Sequence, residues 1–513
     1  MMDKINAQFL FIMFGICGTW IVAEVQPRKW AEDDCQRSLR ESLAISVKTR
    51  SPPKLSGHWT STKCEVRPGP EFVLRKYVFR KSGFFAQLFY YADEQCSHVT
   101  HYVSARGKVK PLGESWRTPG GVQSKYSLSE VKVIPYSEKK AHTFGKLVRR
   151  FCPDAKVKTV SPYRKFSIFK FPLRSKRKST FENLEDFDCT KLFNFTMNEL
   201  QLLRVERKQL KSIMTKSSEK RLELHLGDVS TEMTYRWQHV PTYYQIPLVK
   251  AKTPGCEVCS ILSSANHRRP PALLISQHHE VALSGEWVSE RCETRPNGQF
   301  LTRHLSFLGW RSFQGVYEFY RDPDCSEASY SIAIKGTYVL SGKSDVIPSA
   351  SEFIFETSRL KITPQNYQML MYMNSYAGNK CGDSGNWKTG VTQDVTSTEG
   401  CVLLGISLPH VEYELMKTEY DNRHSYLYVG QRPSDYVPLS DVKNRPTSFQ
   451  HPLVRCGSNN EIMHEVSPVF DQYSAYSGSD SMAVPLTSSS EQKSICSVII
   501  HIISILHLKS YRL

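Results

Sequence analysis

The chain has 513 residues, of which 40% are hydrophobic and 11% aromatic, and its formal net charge is +17. Its length excludes a single small domain and allows two to four of ordinary size. For an exported chain, so large a positive charge favours heparan-type glycans or anionic membrane surfaces over nucleic acid as partners, although a basic surface without a partner explains it equally well.

The N-terminus has the pattern of a secretory signal. Lys4 precedes an apolar run over residues 9–20, and Ala23 stands at a suitable cleavage position. We therefore predict a signal peptide over residues 1–23 and an extracellular mature chain. A buried first helix is the structural alternative.

One stretch of the sequence occurs twice. Residues 56–68 and 284–296 share Ser, Gly, Trp, Ser, Cys, Glu, Arg and Pro at the same spacing. Cys64 and Cys292 are 228 positions apart, and Cys152 and Cys381 are 229 apart. This predicts one duplicated domain, with the first copy over residues 24–259 and the second over residues 260–456.

The two copies show the same pattern of short strands. Residues 72–79 and 84–91 alternate as a hairpin, and residues 300–307 and 313–320 repeat it. Segment 198–206 is compatible with a helix, but its copy at 411–419 is followed by a turn and a further strand, so we predict strands for both. About ten strands per copy and no long helical pattern predict an all-β protein of two tandem antiparallel β-barrel-like domains.

Inward-facing positions differ between the copies. In the second copy Tyr330, Ile332 and Ile334 share one strand face, where the first copy has His101, Val103 and Ala105. The second copy therefore has the more apolar interior. An ordinary hydrophobic core would show the same pattern.

The cysteines indicate an oxidising compartment. Of 14 cysteines, Cys17 lies in the signal and Cys496 in the tail, and the other twelve divide evenly along the chain, six from Cys35 to Cys256 and six from Cys259 to Cys456. Six cysteines allow 15 pairings. We prefer Cys64 with Cys96 and Cys292 with Cys325, and we also expect disulfides at Cys152, Cys189, Cys381 and Cys401. A zinc site at Cys256 and Cys259 with His278 and His279 is a weak alternative, because it needs reduced thiols.

Three further segments carry local signals. The first copy has a longer stretch between Cys152 and Cys189, which predicts an exposed basic loop over residues 156–178. Asn194 begins an Asn-Phe-Thr acceptor for N-linked glycan. Residues 457–494 are a Ser-rich linker, and residues 495–508 predict a short C-terminal membrane anchor or a lipid-anchor signal.

No catalytic motif is convincing. The residues around Ser384 resemble the nucleophile loop of trypsin-like proteases, but Asn386 replaces the expected glycine and the histidine motif is missing. We predict a binding protein without cofactor or metal, and not an enzyme.

The duplicated Gly-x-Trp-x-Ser-x-x-Cys-Glu-x-Arg-Pro block resembles the adenomatosis polyposis coli down-regulated 1 family. Residues 300–304, 393–396, 400–401 and 430–435 also resemble it, over roughly residues 55–456. The sequence departs from the family pattern between Cys152 and Cys189. The resemblance implies a membrane-anchored extracellular glycoprotein that inhibits Wnt signalling upstream of β-catenin and associates with Wnt ligands and their low-density-lipoprotein-receptor-related co-receptors.

Two hypotheses follow. Wnt proteins carry an acyl chain, which the apolar interior of the second copy would receive. Its candidate lipid-binding residues are Phe307, Phe313, Tyr317, Phe319, Tyr330, Ile332, Ile334, Phe353 and Phe355. The alternative is a lipid-independent adaptor with filled barrels, which binds co-receptor or heparan-type glycan through basic surfaces.

Overall fold

The computed structural model describes most of the chain between residues 34 and 457. The described ranges are 34–43, 47–49, 51–171, 187–211, 218–275, 280–309, 311–375, 380–421, 424–434 and 439–457. The predicted signal peptide, nearly all of the linker, the C-terminal anchor, residues 172–178 of the basic loop, His278 and His279 lie outside them. No helix within these ranges is long and apolar enough to cross a membrane.

The first copy forms one antiparallel sheet of twelve strands within the described residues. They are β1 (Val47–Thr49), β2 (Gly57–Thr60), β3 (Glu65–Arg67), β4 (Glu71–Arg80), β5 (Gly83–Tyr91), β6 (Val99–Glu114), β7 (Val122–Pro135), β8 (Phe166–Lys170), β9 (Phe187–Asp188), β10 (Leu202–Lys211), β11 (Ser218–Leu226) and β12 (Leu248–Lys250). The order β10-β11-β12-β2-β4-β5-β6-β7 closes on itself because β7 also pairs with β10. The sheet is therefore a closed eight-stranded barrel.

The second copy repeats this ring. Its strands are β13 (Gly285–Ser289), β14 (Glu293–Arg295), β15 (Gln299–Leu308), β16 (Ser312–Tyr320), β17 (Ala328–Lys343), β18 (Ser351–Pro364), β19 (Gln393–Asp394), β20 (Gly400–Cys401), β21 (Ile406–Ser407), β22 (His410–Tyr420), β23 (Ser425–Val429) and β24 (Leu453–Arg455). The order β13-β24-β23-β22-β18-β17-β16-β15 closes through the β13–β15 pairing. The all-β duplicated fold is confirmed, and an eight-stranded barrel has room for its own side chains or for one small ligand.

Four α-helices accompany the strands in the described ranges. They are α1 (Asp34–Leu43), α2 (Glu138–Phe151), α3 (Glu257–Ser264) and α4 (Tyr367–Asn374). The sequence analysis missed α2, whose buried face contains Ala141, Phe144 and Val148. The prediction of a strand over residues 198–206 was only partly correct, because residues Asn198–Gln201 form a 3-10 turn. The Asn198 amide donates to the carbonyls of Arg236 and His239 there, which holds the chain away from the strand.

The tryptophan of the duplicated motif has the same structural role in both barrels. The indole Nε1 of Trp59 donates to the carbonyl of Leu55 at 2.6 Å, and that of Trp287 donates to Leu283 at 2.8 Å. Both indoles are almost fully buried in the barrel cores.

The glutamate of the motif pairs with a buried arginine. Glu293 accepts hydrogen bonds from Arg303 at 2.8 and 3.0 Å and from the Ser289 hydroxyl at 2.7 Å. In the first barrel Glu65 makes the equivalent pair with Arg75 at 2.7 Å. The ion pairs are therefore integral to both cores.

Disulfides lie within the barrels and between the halves. The preferred pairs Cys64–Cys96 and Cys292–Cys325 are both present, as are Cys152–Cys189 and Cys381–Cys401. The even division of the cysteines was misleading, because Cys35 pairs with Cys456 across the two halves and Cys256 pairs with Cys259. The latter bond leaves no thiolates for the zinc alternative.

The barrels belong to one compact unit and meet through paired contacts between matching positions. Gly69 N donates to Thr447 Oγ1 at 2.7 Å, and Asn297 N donates to Thr242 Oγ1 at 3.0 Å. Contacts of this kind, exchanged between equivalent surfaces, resemble an isologous dimer interface.

Ion pairs follow the same exchange. Lys63 of the first copy pairs with Glu419 of the second at 3.1 Å, and its match Arg291 pairs with Glu223 of the first at 3.1 Å. Lys417 of the second copy pairs with Glu94 of the first at 3.6 Å, and its match Arg204 pairs with Asp324 of the second at 3.7 Å.

We predict that Arg303→Leu destabilises the protein by about 3–5 kcal/mol, because it leaves Glu293 buried without its counter-charge. Arg321→Leu is the matched control, since Arg321 and Glu327 form an exposed pair worth about 0–1 kcal/mol. Guanidinium unfolding followed by tryptophan fluorescence measures both. Equal unfolding midpoints for the two variants would contradict the structural role of the buried pair.

Candidate functional site

The nine predicted lipid-binding residues lie on one face of the second barrel's sheet. Cross-strand pairing sets Phe307 opposite Phe313, Tyr317 opposite Ile332, and Phe319 opposite Tyr330. Because side chains alternate along a strand, these positions point the same way, into the barrel. The structure thus brings all nine together, without showing what they bind.

Two clusters of these side chains line the interior. One contains Phe307, Phe313, Phe353 and Phe355, with Tyr338 packed against them. Its rings meet at centroid distances of 5.0–6.2 Å, several of them edge to face. The other contains Ile332, with Phe319 and Tyr330 stacked at 4.5 Å. Tyr317 and Ile334 contact both clusters, so the aromatic lining is continuous.

Several tyrosines lie deep in this barrel and still expose part of their surface. Burial raises the pKa of Tyr317 and of Tyr338, and it raises the pKa of Tyr330 to about 12. Each of the three nevertheless remains partly accessible. The packing around each of these side chains therefore leaves part of its surface uncovered.

The first barrel differs at the matching positions. Leu88, Ala105 and Val109 occupy the places of Tyr317, Ile334 and Tyr338, and they are 1%, 0% and 3% exposed. The smaller side chains are thus fully covered, whereas the larger ones of the second barrel are not. Residues from α2 and the following strands also pack into the first core, including Phe144, Phe166 and Met197.

Charged residues form one end of the second interior, and the sequence analysis did not identify them as part of a site. Glu412 and Glu414 are paired in register with Phe355 and Phe353, so their side chains share the inner face. Arg432 pairs with Glu412 at 2.7 Å and with Glu414 at 3.3 Å. The sequence pattern that could have identified them is the alternation of Glu412, Glu414 and Met416 along the strand.

The electrostatic balance of this charged end is uneven. Burial raises the pKa of Glu414 to about 7, while Arg432 and the hydrogen bond from His410 hold the pKa of Glu412 far below its usual range. Burial, together with the nearby charge of Arg303, lowers the pKa of Arg295 to about 10. The polar end thus adjoins Tyr317 and the aromatic lining, which makes the interior amphipathic.

The cavities between the barrels have a different character. One of about 290 Å³ is lined largely by charged groups, among them Arg204, Lys208, Glu206 and Arg291, with His451 beside them. Glu206, Glu223 and His225 lie close enough to share a cation, but Lys208, Arg291 and Arg204 already pair with the two carboxylates. These groups form an ion-pair network, and a polar cavity does not suit an acyl chain.

The glycan acceptor is accessible. Asn194 is exposed and has a left-handed φ of 47° at the end of a short 3-10 turn, while Phe195 is buried. Glycosylation there stays a prediction.

The comparison with known protein families gives a match to both halves of the chain. The family model described as Adenomatosis polyposis coli down-regulated 1 matches residues 34–274 and, a second time, residues 275–469. Each match contains one complete barrel, and together they cover most of the sequence.

The raised pKa of Glu414 predicts a pH-dependent contribution to stability. The pKa of this carboxyl group has its ordinary value of 4.5 in the unfolded chain and is about 7 in the folded protein. The folded state therefore holds the proton more tightly, and this group's contribution decreases as pH rises from about 4.5 to 7. Glutamine does not titrate, so the Glu414→Gln variant does not lose this stability. The free energy of unfolding of the variant should therefore increase relative to that of wild type between pH 4.5 and 7, by at most about 3 kcal/mol.

Denaturant unfolding at a series of pH values measures this difference. The exposed Glu356 on the adjacent strand provides the control variant Glu356→Gln. A difference for Glu414→Gln that stays constant with pH would contradict the prediction.

Proposed function

Because the chain belongs to the adenomatosis polyposis coli down-regulated 1 family, we propose that it is an extracellular inhibitor of Wnt signalling that receives the acyl chain of a Wnt protein inside its second barrel. The proposed action is binding, upstream of β-catenin, and not catalysis. Contact with a low-density-lipoprotein-receptor-related co-receptor at the cell surface belongs to the same proposal and is supported by family membership alone.

The observation that supports the acyl site is the contrast between the two interiors. Tyr317, Ile334 and Tyr338 are larger than their counterparts in the first barrel and yet partly accessible. Accessible apolar surface inside a closed barrel is unfavourable in water, and an acyl chain that covers it is favoured. Burying about a dozen methylenes would contribute near 10 kcal/mol before the ordering costs of binding.

The amphipathic arrangement also fits such a ligand. An acyl chain ends in an ester, and the barrel interior passes from aromatic residues to the charged groups around Arg432. The six disulfides formed by the described residues agree with an extracellular or secreted protein. Wnt ligands act in the same extracellular compartment.

We predict that Ile334→Asp lowers the affinity of the intact chain for a fluorescent long-chain acyl probe by roughly tenfold or more, because a carboxylate in the lining must lose its hydration when the chain enters. Val339→Asp is the matched control. Val339 lies on the same strand and is 47% exposed, so this variant should bind like wild type.

A Wnt reporter assay with the same variants extends the test to function. Ile334→Asp should inhibit signalling less, and an acylated Wnt peptide should displace the probe where its unacylated form does not. Secretion of both variants with unchanged probe binding would refute the site in the second barrel.

A further inference from the structure

Helix α2 presents a basic stripe to solvent. Lys139, His142, Lys146, Arg149 and Arg150 are all exposed. Their spacing places them on one helix face, over about 17 Å along the axis. The opposite face, with Ala141, Phe144 and Val148, is buried against the first barrel.

The segment after α2 widens this stripe. The helix ends at Phe151, Val160 lies beside Gly145 in the middle of the helix, and Tyr163 N donates to the carbonyl of Pro135 just before its start. The chain therefore runs back along the helix. It carries Lys158, Arg164 and Lys165 on its exposed side.

Few acids offset these charges. Asp154 is the only acidic residue between Lys139 and Lys170 in the sequence. Among the ion pairs formed by the described residues, none involves Lys139, Lys146, Arg149 or Arg150. The stripe is thus a concentrated positive field available to a partner.

From this surface we infer a binding site for a linear sulfated polysaccharide, on the face of α2 and the returning segment. Helices that bind membranes insert their apolar face, and the apolar face of α2 is already buried in the barrel. Nucleic acid does not share the oxidising compartment that the disulfides indicate. A sulfated glycan matches the stripe in charge and extended shape.

The second barrel provides an internal comparison. Its helix α4 occupies the corresponding place and contains no basic residue, while Tyr367 and Met371 are exposed. The glycan site therefore belongs to the first barrel only. It is independent of the acyl site proposed for the second.

The test compares two variants of the intact chain. Lys146→Gln, Arg149→Gln and Arg150→Gln together remove three charges from the stripe. Lys108→Gln, Lys110→Gln and Lys125→Gln remove three exposed charges from β6 and β7 instead. Binding to heparin is measured by calorimetry at several salt concentrations, and circular dichroism establishes that each variant is folded.

The stripe variant should bind heparin roughly tenfold or more weakly near physiological salt, and the slope of log affinity against log salt should fall by about two to three, as counterion release predicts. The control variant should keep most of the heparin affinity and most of the salt dependence. Acyl-probe binding should be unchanged in the two variants.

Three outcomes would overturn the inference. Equal losses in the two variants would show that only net charge matters. Equal binding of heparin and its unsulfated precursor would exclude recognition of sulfate. Binding of the stripe to phosphatidylserine vesicles but not to heparin would assign this surface to membranes. If the stripe variant is unfolded, Lys146→Gln alone with its control Lys108→Gln gives the same comparison.

Discussion

In each barrel a buried arginine pairs with the glutamate of the duplicated motif, and the pair joins β3 to β4 in the first barrel and β14 to β15 in the second. Arg75 and Glu65, and likewise Arg303 and Glu293, have almost no exposed surface. Either member alone would leave an uncompensated charge in the core, at a cost of about 3–5 kcal/mol. The glutamate, its serine partner and the arginine ten residues later therefore form a set, which explains why the motif survives where most of the surrounding sequence has diverged.

The duplicated motif also sets how the barrels meet. Each copy places a basic residue, Lys63 or Arg291, immediately before a disulfide cysteine and directs it onto the other barrel. Because the same surface is used twice, several contacts between the copies occur in matching pairs. The Cys35–Cys456 bond links α1 at the start of the described chain to the end of the second barrel. The two barrels consequently form one compact unit.

The parts of the structure that could be predicted were those in which apolar and polar residues alternate along the sequence. Alternation along β4, β5, β15 and β16 predicted the hairpins, and comparison with 411–419 correctly replaced the helical pattern of 198–206 by a strand from Leu202 onward, but not over Asn198–Gln201. The shared face of the nine apolar candidates followed from the same period of two. Helix α2 was missed because its buried face is partly made of small residues. The buried charges around Glu414 were missed because an alternating pattern with glutamates normally marks the solvent-facing side of a strand. Closure of the barrel places these glutamates inside, and the local sequence does not show that closure.

The two copies have kept a common framework and changed its contents. Where the second barrel has Tyr317, Ile334 and Tyr338, the first has small or aliphatic side chains, and α2, whose outer face is strongly basic, packs into its core. The second has larger aromatic residues inside, leaves some of them accessible, and has an uncharged helix at the corresponding place. Incompletely covered aromatic residues contribute less to stability than a closed core does. The filled first barrel, the paired interface and the disulfides offset that deficit in the fused pair.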